Sequence, residues 1–245
     1  MKQRVSLFLS FMLIFALCFS SIAEAKGKQQ AITFALKPEE GSEVILNRVE
    51  YTKLGDRETI SVSGHGKADG SETGAYMLEV NSAKGTYKTI KVAPETDLLK
   101  AKDKGRVSAL YTTYTCWLKL TTVDPVNAPL CYTYQLLTWG TDGWTVQWQD
   151  DDFIAYAYHP TKFYTNWYRE WYHNYPYYYQ YSKTRVRKDG DAQYYNYDWG
   201  YDNLITQVYH SQSIWGNTNG TWPYYFTWSR WGEDASLLKL LVSHV

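Results

Sequence analysis

The chain has 245 residues with 25 basic and 25 acidic side chains, so its formal charge is zero. At 44% hydrophobic and 20% charged it resembles neither a disordered chain nor a polytopic membrane protein. Zero net charge also gives no bulk attraction to nucleic acid or anionic lipid, so nucleic acid is not an expected partner. The unusual quantity is the aromatic fraction, 18%, from 24 Tyr, 11 Trp and 8 Phe.

Residues 1–25 read as a secretory signal peptide. Lys2 and Arg4 supply the positive start, Leu7 to Phe19 the apolar run, and Ala23-Glu24-Ala25 a small-x-small cleavage site. Cys18 follows Leu17, where lipid attachment needs a small residue, so release is expected rather than a lipid anchor. No later stretch reaches membrane-spanning length, and the mature chain is expected to be secreted and extracellular, without a membrane span. Two cysteines then remain, Cys116 and Cys131. Export to an oxidising compartment predicts one disulfide between them, closing a loop of about 15 residues.

The composition shifts near residue 105. Residues 26–105 contain four aromatics, Phe34, Tyr51, Tyr76 and Tyr87, whereas every Trp lies between Trp117 and Trp231. The reading is an N-terminal β segment over 26–105, either part of one fold or a removable pro-segment, and an aromatic-rich β-sandwich domain over 106–245. The junction Leu98 to Arg106 reads as a short helix closed by Gly105, and as a basic, exposed protease site.

Short alternating runs dominate the first segment. Ile32, Phe34 and Leu36 form one; Val44 with Leu46 and Ile60 with Val62 mark two more; Tyr76, Leu78 and Val80, then Ile90 and Val92, complete the series. Turn clusters separate them at Pro38 to Gly41, Gly55-Asp56, Asp69-Gly70 and Ala83 to Gly85. In the second segment Leu110, Tyr114, Cys116, Leu118 and Leu120 share one parity while Thr113, Thr115, Lys119 and Thr121 share the other, which predicts a half-buried strand. The turn Asp124 to Pro129 returns the chain through Leu130 to Trp139, and Cys116 and Cys131 are expected to face each other across it. Thr141-Asp142-Gly143 predicts a hairpin between Tyr134–Trp139 and Trp144–Gln149. Further strands are expected at 153–158, 177–187, 194–198, 204–209 and 224–231, with a turn at Arg187 to Asp191. Phe163 to Tyr172 repeats aromatic pairs every four residues, which suits a helix, but its aromatic β-propensity favours extended structure. The fold class is therefore all-β: an antiparallel β-sandwich of many short, aromatic-rich strands.

Function has only the aromatic surplus to rest on. Leu, Ile and Val are scarce after residue 140, so many rings must fill the core. The remainder could stack on sugar rings while their N–H and O–H edges bond hydroxyls. Trp144, Trp148, Trp167, Trp171, Tyr177 and Tyr179 are the candidate ligand-binding residues, with Tyr175 to Tyr181 the most exposed run. Asp150 and Asp152, and Asp189 and Asp191, are candidate calcium ligands, calcium being the one cofactor considered. No H-E-x-x-H, G-x-S-x-G or phosphate-binding glycine loop is present, and no catalytic residue is assigned. The favoured expectation is non-catalytic binding of a polysaccharide or cell surface. A toxin-like protein released by cleavage near residue 105, and a glycan-active hydrolase built on the carboxylates among the aromatics, stand as alternatives.

Overall fold

The computed structural model describes residues 30–44, 46–68, 74–93, 111–158, 166–180, 182–198 and 201–244. The signal-peptide segment and the junction at 98–106 lie outside these residues. In chain order the strands are β1 (Ile32–Ala35), β2 (Lys37–Pro38), β3 (Arg48–Leu54), β4 (Arg57–Lys67), β5 (Gly74–Asn81), β6 (Thr86–Val92), β7 (Thr112–Val123) and β8 (Pro129–Thr141). They continue with β9 (Val146–Ala157), β10 (Trp167–Asn174), β11 (Tyr178–Gln180), β12 (Arg185–Asp198), β13 (Tyr201–Asn217), β14 (Thr221–Gly232) and β15 (Lys239–His244). A short 3-10 turn, Ala235–Leu237, precedes β15. Among the described residues no helix is long and apolar enough to cross a membrane.

Two sheets pack face to face. The first runs β1-β3-β4-β14-β13-β12-β10, with β11 on β12; the second runs β2-β6-β5-β15-β7-β8-β9. Every pairing is antiparallel except β2 with β6. Strands from both parts of the chain interleave in each sheet. β4 pairs along β14, from Lys67 with Thr221 to Glu58 with Arg230, and β5 pairs with β15. Releasing 106–245 would therefore strip both sheets and leave β14 and β15 as bare edges.

Alternation fixes which side chains meet between the sheets. The first sheet turns inward Val49, Tyr51, Ile60, Val62, Trp222, Tyr224, Phe226, Trp228, Val208, Ile214, Val186 and Tyr194, all buried. The second turns inward Tyr76, Leu78, Leu240, Val242, Leu118, Leu120, Leu137 and Trp139. The largest rings lie against glycine. A Cβ at Gly216 would stand 2.6 Å from the Trp139 ring, and one at Gly190 2.3 Å from Phe153, each pair spanning the two sheets. Within the first sheet, Tyr224 and Trp222 lie flat over their cross-strand partners Gly64 and Gly66.

Polar groups cross the same interior. Thr122 Oγ1 and Thr133 Oγ1 of the second sheet lie 2.8 and 3.2 Å from the ring nitrogens of His210 in the first. Trp228 Nε1 donates to Thr122 Oγ1 at 3.0 Å, and Tyr194 Oη donates to the Tyr132 carbonyl at 2.6 Å. Lys188, 2% exposed, pairs with Asp151 of β9 and donates to the Tyr175 carbonyl at 2.5 Å.

Several expectations need correction. Cys116 and Cys131 are both buried, and both are free thiols. In the β7–β8 ladder Cys116 pairs with Leu137, while Cys131 pairs with Thr122. The cysteines are thus six register steps apart, about 20 Å, far beyond disulfide reach. A hairpin joins only residues equidistant from its turn, and Cys131 lies much closer to the turn than Cys116. Strand β7 is not half-buried either: from Cys116 to Val123 both parities are buried. Tyr134 and Tyr132 of β8 lie over Trp117 and Lys119 on its outer side. The pair Val44 and Leu46 is loop, held by Thr89 Oγ1 accepting from the Val44 amide at 2.8 Å. Residues 187–191 are the interior of β12, and the turn falls instead at Ser182 and Lys183, both with positive φ. Strands in the second part are long, 12 to 17 residues in β7 to β9 and β12 to β14. The predicted hairpin at Asp142-Gly143 is present; Asp142 Oδ1 accepts from the Trp144 and Thr145 amides, both at 2.8 Å. The described part of the ambiguous aromatic repeat is extended, as β10.

Two outcomes follow. Unfolded, unreduced protein should expose two reactive thiols, and reductant should leave the melting temperature unchanged; in the native state burial pushes both thiols up and slows their reaction. Burial also lowers the His210 imidazole from 6.5 to about 3. The unfolded chain takes up that proton near pH 6.5 and the folded chain does not, so stability should fall as pH drops from about 6.5 to about 3. Urea midpoints across this window should fall less steeply in His210→Gln than in the parent protein.

Candidate functional site

The side chains that alternate outward from β10, β12, β13 and β14 form one continuous face. On β10 they are Trp171 and His173; on β12, Arg187, Asp189, Asp191 and Gln193. On β13 they are Tyr209, Ser211, Ser213 and Trp215, and on β14 Tyr225, Thr227, Ser229 and Trp231. Cross-strand rows therefore mix rings with hydroxyls and amides: Trp171, Gln193, Tyr209 and Ser229 make one, and His173, Asp191, Ser211 and Thr227 the next.

The rings on this face touch in sequence. Tyr209 lies 5.9 Å from Trp171, Trp171 4.9 Å from His173, and His173 5.6 Å from Tyr175. Two arginines extend the strip. Arg57 lies 5.8 Å from the Tyr209 ring and 4.6 Å from Trp231, and Arg187 lies 5.4 Å from Tyr178 and 4.8 Å from Trp215. Tyr175 and Tyr178 are exposed, while Trp171, Tyr209, Trp215 and Trp231 are half-buried.

Polar groups hold the rings in place. Asp191 accepts from Tyr209 Oη at 3.0 Å and lies 2.9 Å from His173 Nδ1. Burial, with the Asp191 charge adding to it against a hydrogen bond from Ser211, pushes the Tyr209 hydroxyl up to about 12. Gln193 Nε2 donates to Glu170 Oε2 at 2.6 Å and Gln207 Oε1 at 3.1 Å. The row His173, Asp191, Ser211 holds the three residue types of a hydrolytic triad in an order that does not work. The carboxylate stands in the middle, and Ser211 lies two strands, about 10 Å, from His173.

The six residues first singled out do not form one surface. Trp171 lies on this face. Trp167 is 4% exposed and points into the core, although it precedes Trp171 by an even number of residues. The cause is a bulge: Arg169 pairs with Tyr194 and Trp171 with Gln193, leaving Glu170 unpaired and reversing the alternation. Trp144 stands at the β8–β9 hairpin tip, 83% exposed, and Trp148 lies over Gly140 on the outer side of the second sheet. Tyr179 packs on the core and bonds Gln149 of β9, with the exposed Tyr177 against it at 6.0 Å between rings.

The candidate calcium carboxylates also separate. Asp150 and Asp152 face outward from the second sheet, Asp189 and Asp191 from the first. Asp189 accepts from Arg187 Nε at 2.7 Å. Among the described residues no group of three or more His, Cys, Asp or Glu is placed to hold a metal ion. Tyr209, Trp215, Trp231 and Arg57 escaped the sequence reading. The available signal was the outward parity of β13, where Tyr209, Ser211, Ser213 and Trp215 alternate with Val208, His210, Gln212 and Ile214. Comparison with protein-family models, curated proteins and solved structures finds no match to this chain.

Proposed function

We propose that the protein is a secreted, non-catalytic binder of polysaccharide, on a surface or in solution, and that the outer face of the β10–β12–β13–β14 sheet is its binding surface. The observation that carries this reading is the unbroken run Tyr209, Trp171, His173 and Tyr175, set beside the Ser, Gln and Asp side chains of the same rows. Ring faces supply apolar area for the C–H side of a sugar, and the neighbouring hydroxyls, amides and carboxylates bond its hydroxyl groups. The surface is broad and sheet-based, which suits a polymer chain lying across several strands. Export is supported by the pattern of residues 1–25.

Trp171→Ala and Tyr175→Ala should each weaken binding by roughly 1 kcal/mol while leaving the melting temperature unchanged. Trp222→Ala, in the core, should instead cost about 3–5 kcal/mol of stability. Pull-down on insoluble polysaccharides, run beside thermal melts, checks both. Loss of fold in Trp171→Ala and Tyr175→Ala, or unchanged binding in both, would overturn the reading.

A further inference from the structure

Arg57 is exposed at the start of β4, on the face just described. Its guanidinium lies between two rings, 4.6 Å from Trp231 and 5.8 Å from Tyr209. One nitrogen, Nη2, donates to Ser229 Oγ at 3.3 Å, and Ser229 Oγ is in turn 2.9 Å from Thr59 Oγ1. Among the described residues no carboxylate pairs with it. Arg169 and Arg185 instead donate to the Ala155 carbonyl and to Asn217 Oδ1, and two more arginines hold carboxylates. Arg187 donates to Asp189 at 2.7 Å, and Arg230 is held by Glu58 at 2.9 and 3.1 Å.

A guanidinium braced between aromatic faces has lost much of its rotamer freedom, and its remaining N–H donors keep a planar fork. That fork matches the two oxygens of a carboxylate or sulfate. The acidic groups of the face lie on its far side, over β10 and β12, and each has a partner: Asp191 has His173 and Tyr209, Asp189 has Arg187, and Glu170 has Gln193. The face is thus polarised, with a guanidinium that no described carboxylate holds at the β4 and β14 side and hydrogen-bonded carboxylates at the other. Tyr209 joins the two halves, lying against both Arg57 and Trp171.

We infer that the ligand is an acidic polysaccharide, with a sugar ring on Trp171 and the carboxylate or sulfate of a neighbouring position on the Arg57 guanidinium. This rests on the polysaccharide-binding reading and narrows it. The chain carries no net charge. Bulk attraction to a polyanion is therefore absent, and selectivity for acidic sugars must come from this local cation.

The test measures binding of the whole mature protein to polygalacturonate, dextran sulfate, dextran and cellulose, for the parent, Arg57→Gln and Arg57→Lys. The expected result is tighter binding to one or both acidic polymers than to the neutral ones. Arg57→Gln should weaken the acidic interaction about tenfold and the neutral one far less, with Arg57→Lys in between. The two acidic polymers separate carboxylate from sulfate recognition, and unchanged melting temperatures establish that the variants fold. Equal binding of neutral and acidic polymers with no effect of Arg57→Gln overturns the acidic inference and leaves the binding face standing. Failure to bind any of the four overturns both.

Discussion

Two facing sheets leave a gap of about 10 Å, and an indole or phenol can lie across it only where the opposing position is nearly empty. This chain meets that constraint with glycine. Gly216 lies under Trp139 and Gly190 under Phe153, across the gap, while Gly64 and Gly66 accept the flat rings of Tyr224 and Trp222 within one sheet. Each contact works only at one relative position of the two elements, so ring and glycine together set how the sheets stack. Trp139 adds direction by donating from Nε1 to the Asn217 carbonyl, 2.9 Å away. The outer face depends on the same arrangement. Once Val208, His210, Gln212 and Ile214 point inward, Tyr209, Ser211, Ser213 and Trp215 must point outward.

The buried polar belt belongs to the same interior. His210, Thr122, Thr133 and Trp228 satisfy one another between the sheets, and Lys188 meets Asp151 further along the same interior. Such groups contribute little net stability over apolar replacements, but a wrong stacking would leave them buried without partners. Rings opposed to glycine set the fit, and the polar belt penalises the alternatives. The outer face of the first sheet is thereby left free to carry rings that the core does not need.

Much of the fold was legible because strand alternation and turn chemistry are local. The Asp142-Gly143 hairpin follows from turn chemistry, and the inward Tyr76 and Leu78 share the parity of one alternating run. What escaped depends on register. Cys116 and Cys131 flank one turn, yet only the ladder places Cys131 beside it and Cys116 six steps away. Arg187 to Asp191 has turn composition, but Lys188 finds Asp151 and Gly190 makes room for Phe153, so the segment stays in the strand. The candidate site suffered most from Glu170. One unpaired residue sends Trp167 inward and Trp171 outward, and no count along the sequence reveals it. Tyr209, Trp215 and Trp231 are as aromatic as the core, and only the sheet order separates them from Trp222 and Trp228.

Six tryptophans fall into two groups: Trp139, Trp222 and Trp228 lie in the core between the sheets, and Trp171, Trp215 and Trp231 lie on the proposed binding face. Fluorine NMR of protein labelled with 5-fluorotryptophan, assigned by single substitutions and titrated with soluble fragments of a bound polysaccharide, tests that division directly. The signals of Trp171, Trp215 and Trp231 should move together while those of Trp139, Trp222 and Trp228 stay fixed. Movement of the inner signals with the outer ones unchanged would contradict it.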